Sequence, residues 1–104
     1  MATEEDVRRI ASGLPGVSEK PCYGTPGFYV RGRLFARIHD APEVLVLWRA
    51  SVEERDELIA SAPDAFFTTD HYRNHASVLV RLPRIDMEEL AELLAESRDL
   101  RAGR

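Results

Sequence analysis

A change of hydrophobic period near Gly27 constrains the fold more than any other feature of this sequence. From that point apolar and polar residues alternate through Val30, and again from Leu34 to His39, as they do along half-buried strands. Arg31-Gly32-Arg33 separates the two runs, and a glycine there predicts a β-hairpin. The unbroken apolar run Val44–Trp48 is typical of a central strand covered on both faces. The middle of the chain therefore predicts a sheet.

Three helices are predicted around this sheet from their capping signals. Thr3 precedes three acidic residues, Ser51 is followed three positions later by Glu54, and Asp86 is followed likewise by Glu89. Apolar residues recur at helical spacing after each cap. The helices are predicted near residues 4–13, 52–61 and 87–98.

The remaining segments are predicted to be loops and further strands. Residues 15–27 contain three prolines and three glycines and are predicted to be loop. Phe66–Thr69 predicts a short edge strand, residues 70–75 a polar loop, and Ser77–Leu82 a strong strand. Because the connections between strands are short, they favour antiparallel pairing. The prediction is an α+β fold in one domain over residues 1–104, with an antiparallel four- to five-stranded sheet and three helices.

Composition excludes several classes of protein. The single Cys22 excludes an internal disulfide framework. No apolar run approaches the roughly 18 residues of a membrane span, and the acidic start Met1–Asp6 is unlike a signal peptide. We therefore expect a soluble cytoplasmic protein with no membrane partner.

Charge is segregated along the chain although the net charge is only −4. The net charge is positive over residues 21–50 and 73–84, which hold the predicted strands, and negative over residues 51–72 and 85–104, which hold two of the predicted helices. Lys20 is the only lysine among 14 basic residues. Arginine suits bidentate contacts with anions, whereas a genome-wide preference for arginine would produce the same enrichment. The acidic balance argues against a strong binder of duplex DNA.

Several short blocks of sequence match a known family in the same order. These blocks are Leu14–Pro21, Gly24–Phe28, Gly32–Ala36, Phe66–Thr69 with His71-Tyr72, and Val78–Leu82. In these blocks the chain resembles the MmcQ/YjbR family of small bacterial proteins. The resemblance implies a compact α+β layout, similar to secretion-chaperone-like folds, and a DNA-binding label based on a double-wing arrangement, with no catalytic residues. Ala76 stands where such proteins often have a tryptophan, and Arg98-Asp99 replaces an aromatic residue and a lysine, which weakens the label here.

The candidate site is one face of the predicted sheet. Phe28, Val30, Leu34, Ala36 and Ile38 are expected in the core, which leaves Tyr29, Arg31, Phe35, Arg37 and His39 on the other face, joined by Arg49 and Arg81. Arginines interleaved with aromatic rings suit single-stranded nucleic acid. The nucleic-acid site is predicted at Tyr29, Arg31, Arg33, Arg37, His39 and Arg81. An ordinary solvent-exposed sheet face would show the same sequence pattern, with the aliphatic stems of the arginines covering Leu45, Leu47 and Leu79.

Catalytic and metal chemistry has little support in the sequence. His71 and His75 have a spacing that zinc sites use, with Cys22 or His39 as further ligands, but their segment is predicted to be a solvated loop. Cys22 has no base beside it in the sequence, and the glycines match no phosphate-binding loop. We expect no enzyme activity, no cofactor and no metal.

Three functions are left open. The first is a non-enzymatic module that binds DNA or RNA weakly and salt-sensitively. The alternative is a protein-interaction or chaperone-like module that uses an apolar sheet face or edge through Leu45, Leu47 or Phe35, including a homodimer. The third is a small-molecule binder that uses residues 20–28 and 70–75.

Overall fold

The computed structural model describes residues 1–103, which form three helices and one six-stranded sheet. The helices are α1 (Glu4–Ser12), α2 (Val52–Ser61) and α3 (Met87–Arg101). The strands are β1 (Val17–Cys22), β2 (Thr25–Val30), β3 (Arg33–Ile38), β4 (Val44–Trp48), β5 (Phe66–Phe67) and β6 (Ser77–Arg81). Every pairing is antiparallel, in the order β1-β2-β3-β4-β6-β5. The α+β class and the three helices are thus confirmed.

The prediction of a loop over residues 15–27 is wrong, because β1 and the start of β2 lie there. Tyr23 and Gly24 have φ values of 53° and 84° and connect Cys22 to its partner Thr25 in a tight hairpin turn. Pro21 is tolerated because β1 is an edge strand whose outer side has no ladder to break. This strand and the confirmed edge strand β5 raise the count to six, above the predicted four or five.

The predicted hairpin between β2 and β3 is confirmed at Arg31 and Gly32. Their φ values are 52° and 76°, and Val30 pairs directly with Arg33 across the turn. Two successive residues with positive φ are the signature of the turn whose twist matches a right-handed hairpin.

A β-bulge in β3 changes which side chains face the core. Phe28 pairs with Ala36 but the next residue, Tyr29, pairs with Leu34, so Phe35 is the extra residue. The prediction for this strand is therefore wrong at two positions. Phe35 is fully buried in the main core, and Leu34 lies opposite Tyr29 on the other face.

The helices pack on one face of the sheet and enclose the main core. This core includes Val7, Phe28, Phe35, Leu45, Leu47, Val78, Val80, Leu90 and Leu94. Arg49 follows β4 and is also buried on this side, where it hydrogen-bonds the carbonyl oxygen of Leu93 at 3.3 Å. The prediction that Arg49 joins the opposite face is therefore wrong. Within residues 1–103 no helix is both long and apolar enough to cross a membrane.

Two of the three predicted caps form through their side chains. Thr3 and Asp6 make a reciprocal capping box, and the Ser51 hydroxyl accepts from the N–H of Glu54. Asp86 occupies the cap position of α3 but makes no side-chain cap bond. Ile85 and Leu90 are both buried in the main core, so packing rather than a cap holds the start of α3.

Candidate ligand-binding face and cleft

The sheet face opposite the helices is here called the open face. Register and alternation place on it Lys20, Cys22, Thr25, Tyr29, Leu34, Arg37, His39, Val44, Val46, Trp48, Phe67, Ser77, Leu79 and Arg81. It therefore contains four of the six residues predicted to bind nucleic acid. Arg31 lies in the exposed hairpin turn, and Arg33 contacts the carbonyl oxygen of Arg101 at the end of α3. The six residues do not form one patch.

Part of the open face is covered. Val44, Val46 and Leu79 form a second buried cluster under Phe67 and Tyr72. Tyr72 ends a short 3-10 helix that begins at Asp70, in the segment predicted to be a polar loop. The open face is therefore a rim of polar and aromatic residues around a covered apolar centre.

The apolar residues named for protein association are not accessible. Phe35, Leu45 and Leu47 each have 0% relative exposure and lie in the helix-side core. The idea that arginine stems cover Leu45 and Leu47 on a wet face is wrong for the same reason. At the sheet edge, Glu19, Lys20 and Pro21 of β1 are residues that discourage pairing with another strand.

Besides the pair of Arg101 with Trp48, three cation–aromatic pairs lie around the open face. Lys20 Nζ lies 5.5 Å from the ring centroid of Tyr29, Arg37 Cζ 5.9 Å from that of Tyr23, and Arg81 Cζ 4.1 Å from that of Phe67. Tyr23 is 90% exposed at the tip of the first hairpin. Each pair offers a positive charge next to an aromatic surface.

Arg37 is half-buried and is held by neutral partners. Its Nη1 donates to Thr25 Oγ1 at 3.1 Å and to the carbonyl oxygen of Ile38 at 3.3 Å, and its Nη2 donates to the Tyr72 hydroxyl at 3.4 Å. His39 makes a separate contact, since its Nδ1 accepts from the N–H of Ala41 at 3.0 Å. Arg37 is thus the predicted residue that the structure positions most firmly.

A cleft of about 480 Å³ opens beside Arg37. Its lining comprises Cys22, Tyr23, Leu34, Phe35, Ala36, Arg37, Asp40, Val46, Trp48, His71, Tyr72, His75 and Ser77. The cleft brings together the segments 20–28 and 70–75, which the sequence offered only as a small-molecule site. Its volume falls within the range of about 300 to 1,000 Å³ that is usual for small-ligand pockets.

His75 and Trp48 meet in this cleft. Their rings lie edge to face with centroids 4.5 Å apart, and His75 Nδ1 accepts from the N–H of Ser77 at 3.2 Å. Burial lowers the pKa of His75, and the charge of Arg101 and the neighbouring His71 side chain lower it further. A neutral ring that accepts at Nδ1 carries its proton on Nε2. His75 is therefore a neutral donor at pH 7.

Arg101 reaches the same region from the end of α3. Its guanidinium carbon lies 4.2 Å from the ring centroid of Trp48, and its Nε donates to the carbonyl oxygen of Leu34 at 3.0 Å. Burial lowers the pKa of Arg101, and nearby Arg33 adds to that effect. In the sequence Arg101 looked only like a cation at a helix end, and nothing local indicated the stacking.

A buried arginine on α2 anchors the cleft wall. Arg55 Nη1 donates to the carbonyl oxygens of Tyr72 and Arg73 at 2.9 Å and to that of His75 at 3.0 Å. Asp56 pairs with Nη2 at 2.8 Å. Sequence reasoning missed Arg55 because it stands among charged residues at the start of a helix, where an exposed position is the ordinary expectation.

The Cys22 thiol and the imidazoles of His71 and His75 all line the cleft but form no recognised reactive set. The thiol of Cys22 beside the Tyr29 hydroxyl raises the pKa of Tyr29, with burial contributing. Within residues 1–103 no hydrogen bond joins the Cys22 thiol to an imidazole or carboxylate. In the same part of the chain no three His, Cys, Asp or Glu residues cluster so that they could hold a metal ion.

Comparison with known proteins identifies the family. Residues 12–100 match the YjbR family model. The chain belongs to the YjbR family. A YjbR relative of known structure is a Deinococcus radiodurans protein with a DUF419 domain, which superposes with a TM-score of 0.76 at 28% identity and covers 93% of this chain and 76% of that one. Uncharacterised proteins of Mycobacterium tuberculosis and Mycobacterium bovis are 34% identical over 114 residues, covering 93% of this chain and 86% of theirs. The fold and the resemblance seen in the sequence are thus confirmed.

Proposed function

We propose that this YjbR protein is a non-enzymatic module that binds single-stranded nucleic acid across its open face. The observation that carries this proposal is the set of cation–aromatic pairs that Lys20, Arg37 and Arg81 form around that face. Single-strand binding combines cations that track phosphates with rings on which bases stack. The DNA-binding label of the family supports the same ligand class. The free thiol of Cys22 is in keeping with the reducing cytoplasm, where we place this function.

The distribution of charge supports binding on this face despite the net charge of −4. On the open face the strands carry three basic residues, Lys20, Arg37 and Arg81, and no acidic residue, because Arg33 and Glu19 lie on the helix side. Helices α2 and α3 contain nine acidic residues against three basic ones and lie on the other side of the sheet. A strand on the open face would therefore meet a locally positive surface, and its binding would weaken steeply with salt.

A single strand fits this surface better than a duplex does. Tyr23 and Tyr29 present rings beside cations, and only unpaired bases can stack on such rings. A duplex would need a broader basic surface, because its affinity comes mainly from phosphate contacts. Here the cations are spaced singly around a covered apolar centre.

The proposal is tested by titrating the protein into labelled oligonucleotides while following fluorescence anisotropy. The probes are single-stranded oligothymidylate and oligouridylate of about 12 nucleotides and a DNA hairpin duplex, each at about 50 and 200 mM salt. Lys20→Gln and Arg81→Gln should each weaken binding of the single strands and reduce the log-salt slope by about 0.7. Arg33→Gln, which removes the same charge on the helix side, should leave binding nearly unchanged.

Two results would overturn this proposal. One is single-strand affinity weaker than about 0.1 mM at the lower salt concentration. The other is an equal effect of Arg33→Gln and Arg81→Gln, since binding would then follow net charge rather than the open face.

A further inference from the structure

The arginines that lie below the surface fall into two groups. Five arginines of residues 1–103 are buried or half-buried: Arg37, Arg49, Arg55, Arg98 and Arg101. Arg49, Arg55 and Arg98 each form a salt bridge with a carboxylate at 2.8 Å or less. Arg37 and Arg101 form none within residues 1–103. A cation withdrawn from water is costly unless an anion compensates it.

Both of the uncompensated arginines border the cleft. Arg37 lines it directly, and Arg101 stacks on Trp48, which also lines it. Asp40 is the carboxylate in the lining, but it is exposed at the rim and makes no salt bridge with Arg37. The cleft is thus a place where the fold has an excess of positive charge and where an anion would be stabilised.

The polar groups of the lining are mostly free donors. The Tyr72 hydroxyl accepts from Arg37, so its own proton is available. The neutral His75 ring carries a proton on Nε2, from which no hydrogen bond is formed within residues 1–103. Arg37 uses Nη1 twice and Nη2 once, which leaves its Nε–H and one Nη2–H. Such a set suits a ligand group that only accepts, as a carboxylate does.

The floor and walls of the cleft suit a flat apolar body. Trp48 and Tyr72 contribute rings, and Leu34 and Val46 contribute aliphatic surface. The Ser77 hydroxyl is buried beside them with no partner within residues 1–103. An aromatic ring gains both area burial and ring–ring contact in such a place.

We propose that the cleft binds a small planar aromatic carboxylate. Its carboxylate group lies on Arg37 and the Tyr72 hydroxyl, and its ring packs against Trp48 and Tyr72 beside the His75 ring that contacts both. A monoanion is expected because one directly accessible guanidinium and two neutral donors compensate one negative charge better than two. The cleft shares Arg37 and Tyr23 with the open face proposed for nucleic acid, but the binding of a small carboxylate there does not depend on that function.

The test uses 2-naphthoate as the probe and the indole N–H signal of Trp48 as the reporter. Trp48 is the only tryptophan, so its signal in a proton–nitrogen NMR spectrum is unambiguous. We expect 2-naphthoate to shift this signal saturably with a Kd below about 1 mM. Two matched compounds divide the contributions: 2-naphthol is planar but neutral, and cyclohexanecarboxylate is anionic but not planar. Each should bind at least about tenfold more weakly.

Variants locate the binding group. Arg37→Gln should weaken binding of 2-naphthoate by about tenfold or more, and Tyr72→Phe by a few-fold. Arg81→Gln, which tests the nucleic-acid proposal, should leave naphthoate binding unchanged. Each variant is first checked for the dispersed spectrum of a folded protein, and Tyr72→Phe serves alone where Arg37→Gln does not fold.

The site is refuted by any of three results. These are the absence of a saturable shift up to about 10 mM 2-naphthoate, equal binding of 2-naphthol, and unchanged affinity in a folded Arg37→Gln or, where that variant does not fold, in Tyr72→Phe. A loss of oligonucleotide binding in Arg81→Gln with naphthoate binding intact would support both sites independently.

Discussion

Nη2 of Arg49 lies 2.6 Å from Oε2 of Glu54, and the arginine side chain is 2% exposed whereas the glutamate side chain is 33% exposed. The same nitrogen lies 2.7 Å from Glu96 on α3. Nη1 donates to the Ser97 hydroxyl at 3.1 Å, and that hydroxyl donates to the carbonyl oxygen of Trp48. One guanidinium therefore joins the end of β4 to both α2 and α3, directly behind the strand that brings Trp48 to the cleft.

The link between Arg49 and Glu54 predicts a loss of stability in acid. Burial alone would raise the pKa of Glu54, but hydrogen bonds from Arg49 and the N–H of Ala50 outweigh it and lower the pKa. A carboxylate with a lowered native pKa contributes stability that is complete above its unfolded value near 4.5 and is lost as pH falls through the native value. Urea unfolding at a series of pH values below about 4.5 should show that the free energy of unfolding falls more steeply with falling pH in the wild type than in Glu54→Gln. The exposed neighbour Glu53→Gln should behave as the wild type, and identical slopes in all three proteins would contradict the prediction.

Replacing Arg55 should destabilise the fold and release the cleft wall. Arg55→Met leaves the carbonyl oxygens of Tyr72, Arg73 and His75 without their shared donor, and we expect a loss of about 3 kcal/mol in the free energy of unfolding. Arg55→Lys should recover only part of the lost stability, because an ammonium group is smaller than a guanidinium and cannot reproduce its planar set of donors. Urea denaturation measures both. The control Arg73→Met, at an exposed position, should lower the free energy of unfolding by less than about 0.5 kcal/mol. An equally small loss in Arg55→Met would show that other contacts hold the cleft wall.

Protonation of His75 should oppose folding below neutral pH. Burial, with Arg101 and His71, lowers the native pKa of His75 from 6.5, so the unfolded chain takes up this proton first. The contribution of neutral His75 to stability is then complete above pH 6.5 and declines as pH falls toward the native pKa. NMR titration of the imidazole should give a midpoint below 6.5. The melting temperature of His75→Gln should depend less on pH below 6.5 than that of the wild type. A wild-type imidazole midpoint above 6.5 would contradict the prediction.

Gly27 should not tolerate a side chain. A Cβ there would lie 2.9 Å from Cys22 Cβ and 3.2 Å from both Leu34 Cδ1 and the carbonyl oxygen of Lys20. Gly27→Ala should therefore cost about 1–3 kcal/mol through overpacking. Gly13→Ala is the matched control, because its nearest contact would be 3.4 Å and its φ is −82°. It should be neutral or stabilising by up to about 1 kcal/mol. Thermal unfolding of both variants measures how tightly Cys22 and Leu34 pack over Gly27.

Elements whose signals are local could be predicted from the sequence. The run Val44–Trp48 and the hairpin at Gly32 were correctly predicted, as were the helices that follow Thr3 and Ser51. Their patterns depend on neighbours within a few residues, which is the distance over which periodicity and capping act. β1 was missed because its proline and the flanking glycines resemble a loop, and only its edge position makes that composition compatible with a strand.

Tertiary structure decided which of the candidate side chains meet and which partners they have. The bulge at Phe35 depends on the register of β2 against β3, and it moved one aromatic residue from the expected surface into the core. The sequence by itself determined that arginine is abundant and that the net charge is positive over residues 21–50 and 73–84, which contain most of the strands. It could not determine that Arg49 meets Glu96, that Arg55 meets the backbone of residues 72–75, or that Arg37 meets no carboxylate within residues 1–103. The environment of a charge is set by groups far away in the chain that folding brings within a few ångströms. A local sequence pattern does not indicate which groups these are.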